Sequence, residues 1–382
     1  MMQYSQINEN TKISKISFGA EWIGELTQQQ VNDLMQHCIN QGVNLVDCWM
    51  SDPKIRDKLG EGLKATKREN WIIQGHIGST WQNGQYKRTR EINKVKEAFE
   101  DLLKRLQTDH IDYGMIHYVD EVKEYDTIMN NDFIKYIHQL KDEGKIKQIG
   151  LSTHNPEVAI KAAKNPDIKL ILFSLNPAYD IMPPTENIED YSDKTKYENL
   201  KGIAPERAQL YQLCEDTNTH INVMKAYAGG RLFNKQDSPF DTPLTPLQCI
   251  SYALDIKPVI SVCLGVKNTQ QLDEALHYFN ATEDEKNYQE ILKNLPKHSF
   301  EGTCTYCGHC LPCIQEINIP MVNKLYDLAK IHDMIPESIR EHYNNLQKHA
   351  SDCIECGVCI ENCPFNVDII KYMQDAKKLF EY

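Results

Sequence analysis

Short apolar stretches alternate with amphipathic stretches along most of the chain. The apolar stretches are continuous and rich in Ile and Val, which is typical of parallel strands buried on both faces. We predict eight such strands, at residues 13–20, 43–49, 71–78, 111–119, 146–154, 170–177, 221–227 and 258–266. The amphipathic stretches predict helices at residues 27–41, 53–65, 90–106, 127–143, 156–164, 204–216, 245–255 and 268–279.

Eight strand–helix units in about 280 residues match the count and size of a TIM (β/α)8 barrel. A doubly wound open sheet is the alternative α/β fold. Such a sheet usually carries a glycine-rich turn after its first strand, whereas Phe18-Gly19-Ala20-Glu21 lacks the G-x-G-x-x-G pattern. The pattern therefore favours the barrel.

Two long connections follow the third and sixth predicted strands, at residues 79–89 and 178–203. Both lie at the carboxyl ends of strands, where barrel enzymes keep their chemistry. Each is interpreted either as a surface insertion or as a lid or docking surface.

The remaining chain is rich in cysteine and predicts a second, smaller domain. Its first half reads Cys304-Thr-Tyr-Cys307-Gly-His-Cys310-Leu-Pro-Cys313, and its second half reads Cys353-Ile-Glu-Cys356-Gly-Val-Cys359-Ile-Glu-Asn-Cys363-Pro364. The second half matches the bacterial ferredoxin spacing, in which the last cysteine binds the other cluster. We therefore assign Cys304, Cys307, Cys310 and Cys363 to one [4Fe-4S] cluster and Cys313, Cys353, Cys356 and Cys359 to another. Zinc sites and disulfides are the alternatives.

The predicted domains are residues 1–293 for the barrel and 294–382 for an α-helical, ferredoxin-like iron–sulfur domain, with helices at 320–332 and 336–347.

A formal net charge of −12 argues against a nucleic-acid binder. No signal peptide or membrane-length apolar run is found. The other five cysteines (Cys38, Cys48, Cys214, Cys249 and Cys263) are scattered in apolar contexts. They fit a reducing cytoplasm.

Polar residues end successive predicted strands. They are Asp47, His76, His117, His154, Asn176, Lys225 and Tyr227. Because the strands of a closed barrel converge, these side chains are expected to share one pocket at its mouth. The pattern is compatible with acid–base catalysis or with metal binding.

Several segments resemble the barrel of the aldo-keto reductases. They are Gly42-Val-Asn-Leu-Val-Asp47, Ile111-Asp-Tyr-Gly-Met-Ile-His117, Ile149-Gly-Leu-Ser152 and Leu264-Gly265-Val266 with Gln271. Together with the cysteine domain, the chain is similar to the subgroup of that family with a C-terminal ferredoxin-like domain carrying two [4Fe-4S] clusters.

The resemblance implies a catalytic tetrad of Asp, Tyr, Lys and His that reduces a carbonyl with NAD(P)H. Asp47 and His117 take the Asp and His positions, and His76 stands at the Lys position. The Tyr position is not filled, since Cys48-Trp-Met-Ser-Asp52 contains no tyrosine. The resemblance further implies cofactor contacts at Ser152, Asn176, Lys225, Gly265, Lys267, Asn268 and Gln271.

A reduction that consumes protons needs a positioned donor, and imidazole can supply one near neutral pH. We therefore predict Asp47, His76 and His117 as the catalytic residues. The favoured hypothesis is an iron–sulfur oxidoreductase whose clusters relay electrons, from a donor such as ferredoxin or flavodoxin, to a small molecule at the barrel mouth. The alternatives are an NAD(P)H-dependent carbonyl reductase with structural clusters, a metal-dependent hydrolase, and an electron-transfer partner protein. No flavin motif is found.

Overall fold

The structure, a computed structural model, describes residues 1–181, 203–235, 238, 240, 242–292, 304, 310–330, 334–363 and 367–381. The chain divides into two compact units. The first comprises Met1–Trp81, Tyr86–Ile181 and Gly202–Asn294, and the second comprises Gln82–Gln85, Met182–Lys201 and Leu295–Tyr382.

Eight parallel strands of the first unit close into a barrel, which confirms the predicted fold. The barrel strands are β3 (Ile16–Gly19), β4 (Leu45–Cys48), β5 (Ile72–Ile77), β8 (Ile111–Ile116), β9 (Ile146–Thr153), β10 (Ile168–Ser174), β11 (His220–Met224) and β12 (Val259–Gly265). They follow chain order around the barrel, and β12 pairs with β3 to close it. Two antiparallel hairpins accompany them, β1 (Tyr4–Asn8) with β2 (Thr11–Ser14), and β6 (Ser79–Gln82) with β7 (Gln85–Arg88).

Alternation along the strands decides which side chains face the barrel interior. Leu45, Tyr113 and Met115 belong to the apolar cluster inside the barrel, whereas Val46 belongs to the outer core under the helices. Because successive side chains of a strand point to opposite faces, Asp47 follows Leu45 onto the interior face.

The helices of the first unit surround the barrel in the order that the pattern predicts. They are α1 (Gln28–Asn40), α2 (Pro53–Ala65), α3 (Ile92–Arg105), α4 (Val122–Ile128), α5 (Asp132–Asp142), α6 (Pro156–Lys164), α7 (Pro177–Ile181), α8 (Pro205–Thr217), α9 (Pro246–Leu254), α10 (Thr269–Leu276), α11 (Glu283–Lys286) and α12 (Gln289–Leu292). The helix predicted at 127–143 is interrupted, because Asn131 accepts a hydrogen bond from Phe133 N and begins α5 as a new helix.

The connection at 79–89 holds the β6–β7 hairpin rather than irregular chain. Asn83 and Gly84 form its turn, with φ of 54° and 81°. Two consecutive left-handed residues suit a tight hairpin turn, and Asn-Gly is the usual sequence for it. The other long connection, 178–203, lies mostly outside the described residues.

The second unit contains four described helices, α13 (Ile319–Ala329), α14 (Glu337–Asn344), α15 (Val358–Glu361) and α16 (Ile369–Phe380). They share an apolar core in which the rings of Tyr343 and Phe380 stack, with centroids 3.8 Å apart. In the part of the chain that the structure describes, no helix combines the length and the apolar character that crossing a bilayer requires.

Candidate active site and iron–sulfur ligands

Asp47, His76 and His117 contact one another at the carboxyl ends of β4, β5 and β8. Nε2 of His76 lies 3.0 Å from Oδ1 of Asp47, and Nδ1 of His76 lies 2.8 Å from Nδ1 of His117. All three side chains are buried. The three residues predicted as catalytic are therefore one hydrogen-bonded group.

A polar network inside the barrel holds Asp47 in place. Gln74 donates its Nε2 hydrogen to Oδ1 of Asp47 at 2.5 Å, and Asn222 donates to Oε1 of Gln74 at 3.2 Å. Both amides are fully buried. Because Oδ1 of Asp47 then faces two N–H donors, from Gln74 and His76, the geometry suits an ionised carboxylate, which can only accept.

The second ring nitrogen of His117 meets a tyrosine that sequence analysis did not identify. The hydroxyl of Tyr86, on β7, lies 2.6 Å from Nε2 of His117. Trp49 packs against both residues: its ring is parallel to His117 at 6.0 Å and perpendicular to Tyr86 at 5.4 Å. Both nitrogens of His117 therefore have hydrogen-bond partners, and packing against Trp49 restricts the orientation of its ring.

Burial sets the electrostatics around His117. It lowers the pKa of His117 well below its usual value, and the neighbouring His76, Arg90 and Arg88 act in the same direction. Burial likewise raises the pKa of Tyr86, against the effect of the two arginines. His117 is therefore held neutral and Tyr86 protonated.

The two arginines also tie the hairpin to the loop after β8. Arg90 donates to the carbonyl oxygen of His117 at 2.7 Å, and Arg88 donates to that of Tyr118 at 2.8 Å. Both form ion pairs with Glu124. This network positions the backbone that carries His117.

His154 pairs with a different carboxylate. Its Nδ1 lies 2.9 Å from Oδ2 of Asp120, whose Oδ1 accepts from the backbone N–H of His154 and from the hydroxyl of Thr153. Although burial opposes ionisation, His154 and these hydrogen bonds lower the pKa of Asp120 to about 2. Asp47, His76, His117 and His154 therefore do not converge on one point, and among the described residues no group of three or more His, Cys, Asp or Glu side chains is arranged to hold a metal ion.

The predicted cofactor residues at the carboxyl ends of β9, β10 and β11 have partners within the chain. The hydroxyl of Ser152 accepts from Tyr118 N at 2.7 Å, and Asn176 donates to the carbonyl oxygen of Lys225 at 3.0 Å. Lys225 has a left-handed backbone, with φ of 59°. Beside it, the buried hydroxyl of Tyr227 has no hydrogen-bond partner among the described residues.

The predicted cofactor residues after β12 form a separate group. Gly265 pairs with Gly19, and Asn268 begins α10 by accepting from Gln271 N. Lys267 contacts Glu25 at 3.1 Å and lies over the ring of Trp22, while its backbone N–H donates to the side chain of Gln271. Because Glu25 offsets the charge of Lys267, this loop offers little net positive charge to a cofactor phosphate.

Three of the predicted cluster ligands, Cys304, Cys310 and Cys363, are buried in the core of the second unit. Asn323 donates its Nδ2 hydrogen to Sγ of Cys304 at 3.2 Å. A buried amide aimed at sulfur suits a thiolate, and such hydrogen bonds tune cluster potentials. The fourth ligand predicted for this group, Cys307, lies outside the described residues.

Cys313 lies near enough to the later cysteines to influence the ionisation of Cys359. Burial raises the pKa of the Cys359 thiol to about 11, and Cys353, Cys356 and Cys313 act in the same direction. Backbone N–H of Glu355 is directed at Sγ of Cys353, 3.4 Å away. Cysteine side chains are the usual ligands of iron–sulfur clusters, so these residues are of the type that a cluster needs.

Trp49, Gln74 and Tyr86 are the site residues that sequence analysis missed. For Tyr86 a signal existed, because Asn83-Gly84 indicates a hairpin that would return the chain toward the barrel. Gln74 and Asp47 occupy interior-facing positions of adjacent strands and pair in register. Nothing in the local sequence distinguishes Trp49 from an ordinary core residue.

Residues 15–248 match the aldo/keto reductase family, and residues 346–367 match the 4Fe-4S binding domain. Aldo-keto reductase YhdN of Bacillus subtilis is 27% identical over 41% of this chain and 48% of its own length. The uncharacterized oxidoreductase YqkF of the same organism is 25% identical over 75% of this chain and 93% of its own. The solved structure of aldo-keto reductase AKR11C1 from Bacillus halodurans in its holo form has the same fold, with a TM-score of 0.59 and 20% identity over 78% of this chain and 98% of its own.

The family match covers more than half of the chain. The second match includes Cys353, Cys356, Cys359 and Cys363. The chain therefore belongs to the aldo/keto reductase family of oxidoreductases and carries a C-terminal 4Fe-4S binding domain.

Proposed function

We propose that this protein is an iron–sulfur oxidoreductase in which two [4Fe-4S] clusters relay electrons to a small molecule or cofactor bound at the barrel mouth. The cysteines are paired as Cys304, Cys307, Cys310 and Cys363, and Cys313, Cys353, Cys356 and Cys359. Asp47, His76 and His117 handle the protons that the reduction consumes. The observation that carries the proposal is the contact of His76 with Asp47, at the position where the family's tetrad has lysine.

The contact has a chemical consequence. A lysine beside the aspartate would be a fixed cation, whereas a histidine there accepts and releases a proton near neutral pH. Asp47 orients His76 through the hydrogen bond between them. A group that changes protonation state suits a reaction in which electrons arrive singly and protons must follow.

The cluster assignment is tested by purifying the full chain without oxygen and measuring iron and acid-labile sulfide. The ligand count predicts about eight irons per chain and broad absorption near 400 nm. Stoichiometric zinc without sulfide would overturn the assignment.

The electron source is tested on the same material with benzaldehyde as the carbonyl probe. Titanium(III) citrate serves as a low-potential one-electron donor and NADPH as a hydride donor. We expect turnover with the one-electron donor. Turnover with NADPH alone would instead support the alternative, a nicotinamide-dependent carbonyl reductase with structural clusters, which family membership favours. The offset charge of Lys267 speaks against that alternative.

We further propose that residues 1–293 and 294–382 are the two domains and that ferredoxin or flavodoxin is the physiological donor. Free thiols at Cys38, Cys48, Cys214, Cys249 and Cys263 support a cytoplasmic location.

A further inference from the structure

The four residues Asp47, His76, His117 and Tyr86 form one unbranched hydrogen-bonded chain. Its three links measure 3.0, 2.8 and 2.6 Å in that order. An ionised Asp47 can only accept, so Nε2 of His76 carries the hydrogen of the first link. The direction of the other two links depends on how many protons the histidines hold.

With both histidines neutral, the hydrogens of the other two links are donated inward, that is, from Tyr86 toward Asp47. Nδ1 of His76 is then an acceptor, so Nδ1 of His117 donates to it. Nε2 of His117 is an acceptor in turn, and the hydroxyl of Tyr86 donates to it.

One added proton reverses both of these links. It makes His76 a cation beside Asp47, and His76 then donates from Nδ1 to Nδ1 of His117. His117 stays neutral but carries its hydrogen on Nε2, from which it donates to the oxygen of Tyr86. The hydroxyl hydrogen of Tyr86 is thereby released from the chain.

We propose that Tyr86 is the terminal proton donor of the active site and that His117 and His76 recharge it. This proposal rests on the proton-handling role proposed above and adds the group that meets the substrate. The substrate is a carbonyl compound that is reduced to an alcohol by two electrons from the low-potential donor and two protons, of which the oxygen takes one from Tyr86 and the carbon takes the other from solvent.

The proton transfers balance within the hydrogen-bonded chain of Asp47, His76, His117 and Tyr86. The O–H bond of Tyr86 breaks as an O–H bond forms on the substrate oxygen. The Nε2 hydrogen of His117 moves to the Tyr86 oxygen, and the Nδ1 hydrogen of His76 moves to Nδ1 of His117. The chain returns to its inward, neutral state, and one proton from solvent resets it.

The surroundings favour this concerted path. Burial raises the pKa of Tyr86, so a free tyrosinate is costly and donation requires a simultaneous replacement from His117. The other charged groups that act on Tyr86 or His117 are Arg88, Arg90, Asp120, Glu124 and His154. Burial and the cations lower the pKa of His117, which places the added proton on His76, beside Asp47.

The test follows the ring nitrogens of the full chain by ¹⁵N NMR with labelled histidine between pH 5 and pH 9. The signals of the site are assigned by their loss in His76→Gln and His117→Gln. We expect neutral His117 to carry its hydrogen on Nδ1 at high pH and on Nε2 at low pH, changing at the midpoint where His76 becomes a cation. A His117 ring that stays in one tautomer throughout would overturn the proposal.

Two variants locate the effect at Tyr86. Tyr86→Phe removes the hydrogen-bond partner of His117 Nε2 in both protonation states, so it should shift the ring-nitrogen signals of His117 while the tautomer change persists. Tyr125→Phe alters a buried tyrosine that donates to Lys161 O instead, and it should leave the His117 signals unchanged.

The same variants are compared with benzaldehyde and titanium(III) citrate. Tyr86→Phe should lower kcat on the order of 10²-fold or more with KM changed only a few-fold. A parent-like rate in Tyr86→Phe combined with a large loss in His117→Gln would overturn the role of Tyr86 and leave the proposed function standing. Parent-like rates in both variants would overturn the proton-handling role itself.

Discussion

His117 lies at the centre of the site and makes two hydrogen bonds through its ring, to His76 and Tyr86. We expect His117→Gln and His76→Gln to fold with their iron content intact and to lose on the order of 10²–10⁴ in rate. Rates with benzaldehyde, normalised to iron, check this expectation. If the main effect were a lower Tm with modest loss of activity per folded molecule, the two histidines would be structural.

Asp120 should contribute to stability in a pH-dependent way. Its folded pKa of about 2 lies below the usual value of 3.8, so the stabilisation is complete above the unfolded pKa and is lost as pH falls through the folded one. Asp120→Asn should therefore lower the free energy of unfolding by about 2 kcal/mol at pH 7. The difference from the parent should shrink between about pH 4 and pH 2.

Asp109→Asn is the matched control, because Asp109 also pairs with a histidine, His110, but is exposed. Urea unfolding at several pH values gives the comparison. Equal effects of the two substitutions would contradict a role for burial at Asp120.

At the scale of elements, the contact between α2 and α3 depends on Gly60. A Cβ at this position would overlap the backbone carbonyl oxygen of Arg105, which cannot move without shifting the end of α3. Glycine to alanine within a helix normally stabilises it, by up to about 1 kcal/mol. Here we expect the opposite sign, with Gly60→Ala costing about 1–3 kcal/mol of unfolding free energy.

Gly62 in the same helix supplies the comparison. A Cβ there would meet the sulfur of Met35, the far part of a flexible side chain that can change rotamer. Gly62→Ala should therefore be markedly less destabilising than Gly60→Ala in thermal or urea unfolding. Similar losses in the two variants would show that α2 and α3 can adjust to each other.

At the scale of the whole molecule, the two units should respond differently to loss of a cluster ligand. The core of the second unit includes Cys304, Cys310 and Cys363, so cluster assembly and folding of this unit should be coupled. Cys356→Ala should lose iron and make the C-terminal region sensitive to protease. A fragment near residues 1–293 should survive digestion.

Cys214→Ala is the control, since Cys214 is a buried thiol of the barrel outside the proposed ligand set. It should keep the parent iron content. A Cys356→Ala protein whose C-terminal region stays protected without iron would show that this core folds independently of the clusters.

The sequence by itself determined the barrel strands, the cluster-binding motif and the strand-end positions of Asp47, His76 and His117. These features are local: a continuous apolar run reports burial on both faces, and cysteine spacing limits which thiols can share a cluster. Only the tertiary structure decided that His76 contacts Asp47 and His117 together, that Tyr86 ends their chain, and that Glu25 offsets the charge of Lys267. Such contacts join residues far apart in the chain, and they follow from closure of the barrel and the path of its loops, which no local pattern encodes.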